Sequence, residues 1–439
     1  MSHATSARMG GAAAPRRGAE MRRAIAACAV GQVFELYDFA IYGFLAAAIA
    51  RNFFPSSNPM TSLLSTFATF GVGFLTRPLG ALVIGHFGDR HGRKRALVLT
   101  IGIMAAATGC TGLIPGYAAL GLWAPILLLV CRLLQGFSTG GEWGGSVAFL
   151  VEYAPPERRG LYSSIQQCAT AIGVLSASLA AGLARSAFDD ATFFDWGWRL
   201  PFLLGFILGP IGYYLRTMVA ETPAFTRQET EGAVPRAPIR AALTDHFGQV
   251  AAAFGINIVG LAVNYVLLVF MTTFAAQQLH ISLGLALYST TLANIIYGTL
   301  TPFIGAASDR IGRKPFYYAC CFAAIVFAYP AFVLLTSIGT IWGLVLVQAI
   351  AGAILALATG VLPSMLAEMF PTPVRYSAIS IGYGFAATIF GGFAPFIATF
   401  LVSATGSAAA PSAYLIFAGI VSAIALVFVR IRPVGAPLP

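Results

Sequence analysis

The chain has 439 residues, is 58% hydrophobic and only 10% charged, and carries a net charge of +10 with a mean hydropathy of +0.80. A soluble domain needs far more charge on its surface, so this composition excludes a soluble core and points to a polytopic helical membrane protein. The basic residues form short clusters between apolar runs instead of one continuous face, which argues against a nucleic-acid partner and for anionic lipid headgroups.

Residues 1–23 read as a cytoplasmic tail bearing Arg16, Arg17, Arg22 and Arg23. Basic residues ahead of an apolar stretch look superficially like a signal peptide, but Glu35 and Asp38 interrupt that stretch, so it reads as a retained first span. With about 20 apolar residues needed to cross a bilayer, the sequence predicts spans near 24–50, 61–87, 96–114, 121–153, 161–184, 198–218, 247–275, 283–307, 315–337, 340–369, 374–402 and 411–430. Each must be helical, because lipid offers backbone groups no partners.

An even number of spans puts both termini on one side. Arg90 to Arg95, Arg158, Arg159, the stretch from Arg216 to Arg240, Arg310 to Lys314, Arg375, Arg430 and Arg432 all fall on that side, whereas Arg51, Arg185 and Arg199 fall opposite. Positive charge marks the cytoplasmic face. The Pro-, Thr- and charge-rich segment 219–246 reads as a cytoplasmic linker between a six-helix bundle at 24–218 and another at 247–430, with a short tail at 431–439. Cys28, Cys110, Cys131, Cys168, Cys320 and Cys321 lie in or beside apolar runs without metal-ligand spacing. They read as small buried hydrophobes, and neither metal nor cofactor is expected.

A repeat supports the two-bundle division. Gly85, Asp89, Arg90, Gly92, Arg93 and Lys94 recur 220 residues on as Gly305, Asp309, Arg310, Gly312, Arg313 and Lys314. Glu152, Pro155 and Arg159 recur 216 residues on as Glu368, Pro371 and Arg375. Both motifs keep their order and follow even-numbered spans, which implies halves of parallel topology. Gly85 allows two helices to approach closely. Asp89 can cap or neutralise the positive N-terminus of a neighbouring helix, and Arg93 can reach a carboxylate such as Glu152. Such links would form a cytoplasmic latch in each half; topology alone would require no fixed Gly and Asp positions.

Ionisable residues at membrane depth cost about 2.5 to 3.5 kcal/mol on insertion scales and normally face a cavity or a partner. In span 1, Glu35 and Asp38 share a helical face, with Tyr42 one turn beyond. Two such acids can hold one proton between them, which suits proton coupling; permanent pairing with an arginine is the static alternative. In span 4, Arg132 lies near mid-bilayer with Gln135 one turn along, fit to bind a substrate carboxylate bidentately or to pair with Glu35 or Asp38. Glu142, deeper toward the cytoplasm, suits a proton exit route or an interhelical bond. Arg77 in span 2 reads as a packing or snorkelling residue. The second half offers neutral groups instead: Asn257, Asn264, Tyr265, Asn294, Tyr297, Gln348 and Tyr383. Of these, Asn264, Tyr265, Asn294, Gln348 and Tyr383 are taken to complete a substrate cavity.

The loop carrying Gly85, Asp89, Arg90, Gly92, Arg93 and Lys94 resembles that of the major facilitator superfamily. The stretches GQVFELYDFAIYG, GFLTRPLGALVIGHFGDRHGRK, RLLQGFSTGGEWGG, ETPAF, FPTPVRYSAISIGY and IFGGFAPFIATFL are similar to the metabolite:proton symporters of that superfamily. Sugar porters carry Pro-Glu-Ser-Pro-Arg where this chain has ETPAF, while Gln32 and Leu36 depart from the symporter pattern of Asn and Trp.

The resemblance implies a twelve-helix, all-α fold and alternating access. It also implies proton-coupled uptake of a small organic acid such as a di- or tricarboxylate, by a protein functional as a monomer. An osmolyte symporter of the proline or betaine type is the runner-up, less expected because the chain ends soon after Arg432. A sensor on the same scaffold would need a signalling domain. A membrane enzyme would need an HExxH or paired-ligand pattern, and neither appears.

Overall fold

A computed structural model describes residues 13–91, 93–140, 142–217 and 238–436. Most of the linker and both chain ends lie outside the described residues. Span 1 is Ala13–Phe44 followed by Ala46–Phe53, span 2 Pro59–Leu75 with Arg77–His91, and span 3 Arg93–Leu113. Span 4 is Trp123–Thr139 with Glu142–Tyr153, span 5 Arg159–Ala187, and span 6 Leu200–Leu203 with Gly205–Thr217. Span 7 joins Phe247–Ala262, Val263–Phe270 and Met271–Gln278; span 8 is Leu283–Ile311 and span 9 Lys314–Ile338. Span 10 is Ile341–Thr359 with Leu362–Met369, span 11 Thr372–Ala386 through Ala387–Gly392 to Ala394–Thr405, and span 12 Pro411–Phe428. These form the two six-helix bundles.

Among the described residues nine helices are long and apolar enough to cross a membrane, or ten if the bent first pair is one span. Spans 3 and 6 fall short for local reasons. Span 3 opens on Arg93, Lys94 and Arg95, which leaves Val98–Leu113 as its apolar part, and span 6 breaks at Leu204. Span 1, expected near 24–50, bends by 63° just after Gly43, the weakest helix former of its stretch.

Helix ends follow their residues. Asn58 accepts from the Met60 amide, with Pro59 in the first turn, and Thr340 caps Gly343. Gly339 and Gly406 close spans 9 and 11 at φ values of 59° and 67°, left-handed positions that suit glycine. Span 9 shows the lipid pattern: Tyr318, Phe322, Val326, Tyr329 and Val333 are outward and exposed, whereas Tyr317, Cys321, Ala324, Ala328 and Phe332 are buried. This is one helix face against hydrocarbon and one against protein. Span 7 is buried around most of its circumference and carries a π-helical stretch at Val263–Phe270, a departure from regular helix often found at functional sites.

The bundles meet mainly where span 5 lies along span 8 and span 2 along span 11. Span 5 touches span 8 at both ends. Near the end away from the charged repeats, Ser186 Oγ and Tyr288 OH are 3.0 Å apart and Ser178 Oγ and Thr291 Oγ1 2.7 Å. At the repeat-bearing end, here the motif end, Gly160 and Gly305 face each other, and a Cβ on either would run into the other's carbonyl oxygen. That backbone approach requires glycine on both helices.

Candidate functional site

At the motif end the second repeat forms a connected network. Asp309, in the last turn of span 8, accepts from the Gly160 and Leu161 amides at 2.8 and 2.9 Å. Those amides belong to the first turn of span 5, where helix N–H groups have no partner of their own. Arg313 donates to Asp309 Oδ1 at 2.7 Å, to Ser308 Oγ at 2.7 Å and to Glu368 Oε1 at 3.1 Å. Arg375 Nε donates to the Ala367 and Phe370 carbonyls at 2.9 and 3.1 Å. Arg159 Nη1 donates to the Ala436 carbonyl at 2.7 Å, and Arg310 is exposed. The surroundings of Gly85 and the side chains of Asp89, Arg90, Arg93 and Glu152 lie outside what the structure describes. Toward the bilayer centre Trp143 of span 4 stacks on Tyr383 of span 11, with ring centroids 3.8 Å apart at 14°.

In the middle of the first bundle, Asp38 and Arg132 are both fully buried. Arg132 Nη2 stands 3.7 Å from Asp38 Oδ1, and its guanidinium lies 4.4 Å over the ring of Tyr42. Asp38 Oδ1 also accepts from Thr108 Oγ1 of span 3 and from Gln135 Nε2 of span 4. Among the described residues Arg132 Nε, Nη1 and Nη2 have no hydrogen-bond acceptor, nor has Asp38 Oδ2 a donor. Buried polar groups are normally satisfied. A buried guanidinium with only a long ion pair therefore stands ready for a planar, doubly accepting anion.

Glu35 has a different partner. Arg77, read from sequence as packing or snorkelling, is 5% exposed, with Nη2 3.4 Å from Glu35 Oε1. Its guanidinium lies against Phe39 and Phe74, 4.4 and 4.2 Å from their ring centroids, and those two rings pack edge-on to each other at 4.7 Å. Of the two sequence readings, packing fits this placement and snorkelling does not: snorkelling needs a path to the interface, whereas two rings and a carboxylate keep this head inside the bundle. Thr108 is the residue of this centre that sequence reasoning missed.

The structure brings Asp38, Tyr42, Arg132 and Gln135 together and places Glu35 beside them with its own cation. Tyr265, on the π-helical stretch of span 7, packs its ring against Phe70 and Phe74 at 6.0 and 5.7 Å and so touches the same aromatic cluster. Gln348 Nε2 donates to Thr290 Oγ1 at 2.8 Å and to the Leu267 carbonyl at 3.3 Å, while Asn294 Nδ2 donates to the Thr290 carbonyl at 2.9 Å. These two form a second cluster around Thr290. Both amide nitrogens face backbone carbonyls, which leaves their oxygens without donors among the described residues. Asn264 is half-buried and, among the described residues, hydrogen-bonded to none of these groups. Glu142 is buried two turns past Gln135 toward the motif end.

The chain matches known proteins along most of its length. A Sugar (and other) transporter model matches residues 24–236 and a Major Facilitator Superfamily model residues 247–439. The proline/betaine transporter of Escherichia coli (strain K12) is 37% identical over 418 residues, 92% of this chain and 82% of its own. The citrate-proton symporter of Klebsiella pneumoniae is 36% identical, covering 92% and 90%, and the shikimate transporter of Escherichia coli (strain K12) 35% identical, covering 87% and 88%. A crystal structure of a D-xylose-proton symporter superposes with a TM-score of 0.72 at 18% identity, over 94% of this chain and 98% of that one, which establishes likeness of fold. The fold and the buried centre define a multi-pass membrane transporter. The chain belongs to the major facilitator superfamily, in its branch of metabolite:proton symporters.

Proposed function

We propose that the protein is a proton-coupled symporter for a small solute bearing one carboxylate, with a zwitterion of the proline or betaine kind ahead of a di- or tricarboxylate. The observation that carries this reading is Arg132: fully buried, 3.7 Å from Asp38, its three nitrogens without a hydrogen-bond acceptor among the described residues. A solute carboxylate that takes Arg132 bidentately draws the cation from Asp38. A buried carboxylate that loses its cation is stabilised by taking a proton. Solute and proton thus enter together because two anions compete for one guanidinium.

Charge balance favours a single carboxylate. Arg132 and Arg77 are offset by Asp38 and Glu35, so one proton on Asp38 leaves one net positive charge. The proline/betaine relatives favour the same class, and the carbonyl oxygens of Asn294 and Gln348 suit a solute that also carries a cationic nitrogen. The citrate relative supports a second reading, a tricarboxylate entering with more protons. The basic clusters at the motif end favour a cytoplasmic orientation of that end in a bacterial inner membrane.

Uptake into proteoliposomes under an imposed pH gradient tests the reading, with labelled proline, glycine betaine, shikimate and citrate. Gradient-driven accumulation of a monocarboxylate, abolished by a protonophore, is the expected result. Transport indifferent to collapse of the gradient would overturn the coupling, and preference for citrate would overturn the substrate class.

A further inference from the structure

Glu35 and Asp38 lie one helical turn apart on span 1, yet each faces its own arginine from a different helix: Arg77 of span 2 and Arg132 of span 4. Two acids that share a proton need each other as neighbours, whereas here each has a separate cation. The Glu35 set also continues away from Asp38. Gln32 Nε2 reaches Glu35 Oε2 at 3.5 Å, and Gln166 Nε2 of span 5 donates to Gln32 Oε1 at 3.3 Å. Span 1 runs from the motif end inward, so this chain lies on the motif-end side of Asp38. Tyr265, from the other half, packs on Phe74, the ring against which the Arg77 guanidinium lies.

We infer that Glu35 is a second proton station, distinct from the Asp38–Arg132 solute site, and that Arg77 is the positioning residue that keeps it ready to receive. The inference rests on the proton-coupled reading above. When solute leaves, Arg132 returns to Asp38. The proton on the Asp38 carboxyl passes to the Glu35 carboxylate, which leaves Asp38 ionised and Glu35 neutral with total charge unchanged. Arg77 stays charged throughout. With the proton on Glu35, the cation beside it has lost its anion, and this drives release to water once the motif end opens. Arg77 stays behind when the proton leaves, because its head is buried against Phe39 and Phe74.

The test compares two assays on the reconstituted full chain, with labelled proline or, if the solute screen selects it, citrate. One is gradient-driven accumulation; the other is solute–solute exchange, which needs no net proton release. Glu35→Gln and Arg77→Gln should each lower accumulation at least tenfold and exchange less than threefold, and Arg77→Lys should recover part of the accumulation. The double variant Glu35→Gln/Arg77→Gln, which removes both charges and so avoids an orphaned buried ion, should remain uncoupled. Restored accumulation in the double variant would mark a static ion pair and overturn the inference, as would Glu35→Gln that accumulates within twofold of wild type. Wild-type protein indifferent to the gradient would overturn the coupling reading itself, a result distinct from either.

Discussion

Asp309 of one bundle caps the helix that begins beside Gly160 in the other, taking the Gly160 and Leu161 amides on its two carboxylate oxygens at 2.8 and 2.9 Å. A negative group at a helix N-terminus meets both the free N–H donors and the positive end of the helix dipole. Because the contact joins the bundles, any separation of the two at the motif end would break it.

Asp309→Asn keeps an acceptor there but removes the charge, at a cost of about 1–2 kcal/mol to the closed form. That shifts the closed-to-open ratio by a factor of roughly 5–30. Spin labels at the exposed positions Arg158 and Arg310, read by dipolar spectroscopy, should show more of the longer distance in the variant. An unchanged distribution would remove the latch from the account.

Arg132→Lys separates charge from geometry. An ammonium can still face Asp38, so the fold should survive, but it lacks the planar fork that grips a carboxylate with two parallel hydrogen bonds. Losing a charge-assisted bond of about 1.5–3 kcal/mol should weaken solute affinity by roughly 10- to 150-fold. Equilibrium binding of labelled solute, alongside thermal unfolding, separates this outcome from general instability.

Much of this architecture is legible in the sequence, for a physical reason. Membrane spans announce themselves by length and apolarity, and the constant 220-residue offset marks Asp309 and Arg313 as counterparts of Asp89 and Arg93. Buried charge is costly in lipid, so Glu35, Asp38 and Arg132 stand out as candidates. Partnership is not legible. Whether Arg77 meets lipid, an aromatic ring or Glu35 depends on how spans 1 and 2 are rotated against each other, and hydropathy carries no record of that rotation. Thr108 is hidden for another reason: a threonine in a span ordinarily bonds its own helix, as Thr108 does to the Met104 carbonyl at 2.8 Å, and nothing in its surroundings marks the second bond to Asp38. The bend of span 1 likewise follows a glycine in a chain where glycines are common.

The central claim is that solute and proton meet through one guanidinium, and proton uptake on binding tests it most directly. Saturating purified protein in weak buffer with the best-transported of proline, glycine betaine, shikimate and citrate should draw about one proton per molecule from solution, since the displaced Asp38 must be neutralised. Asp38→Asn should bind the same solute and draw none; equal proton uptake by wild type and Asp38→Asn, or none by either, would contradict the account.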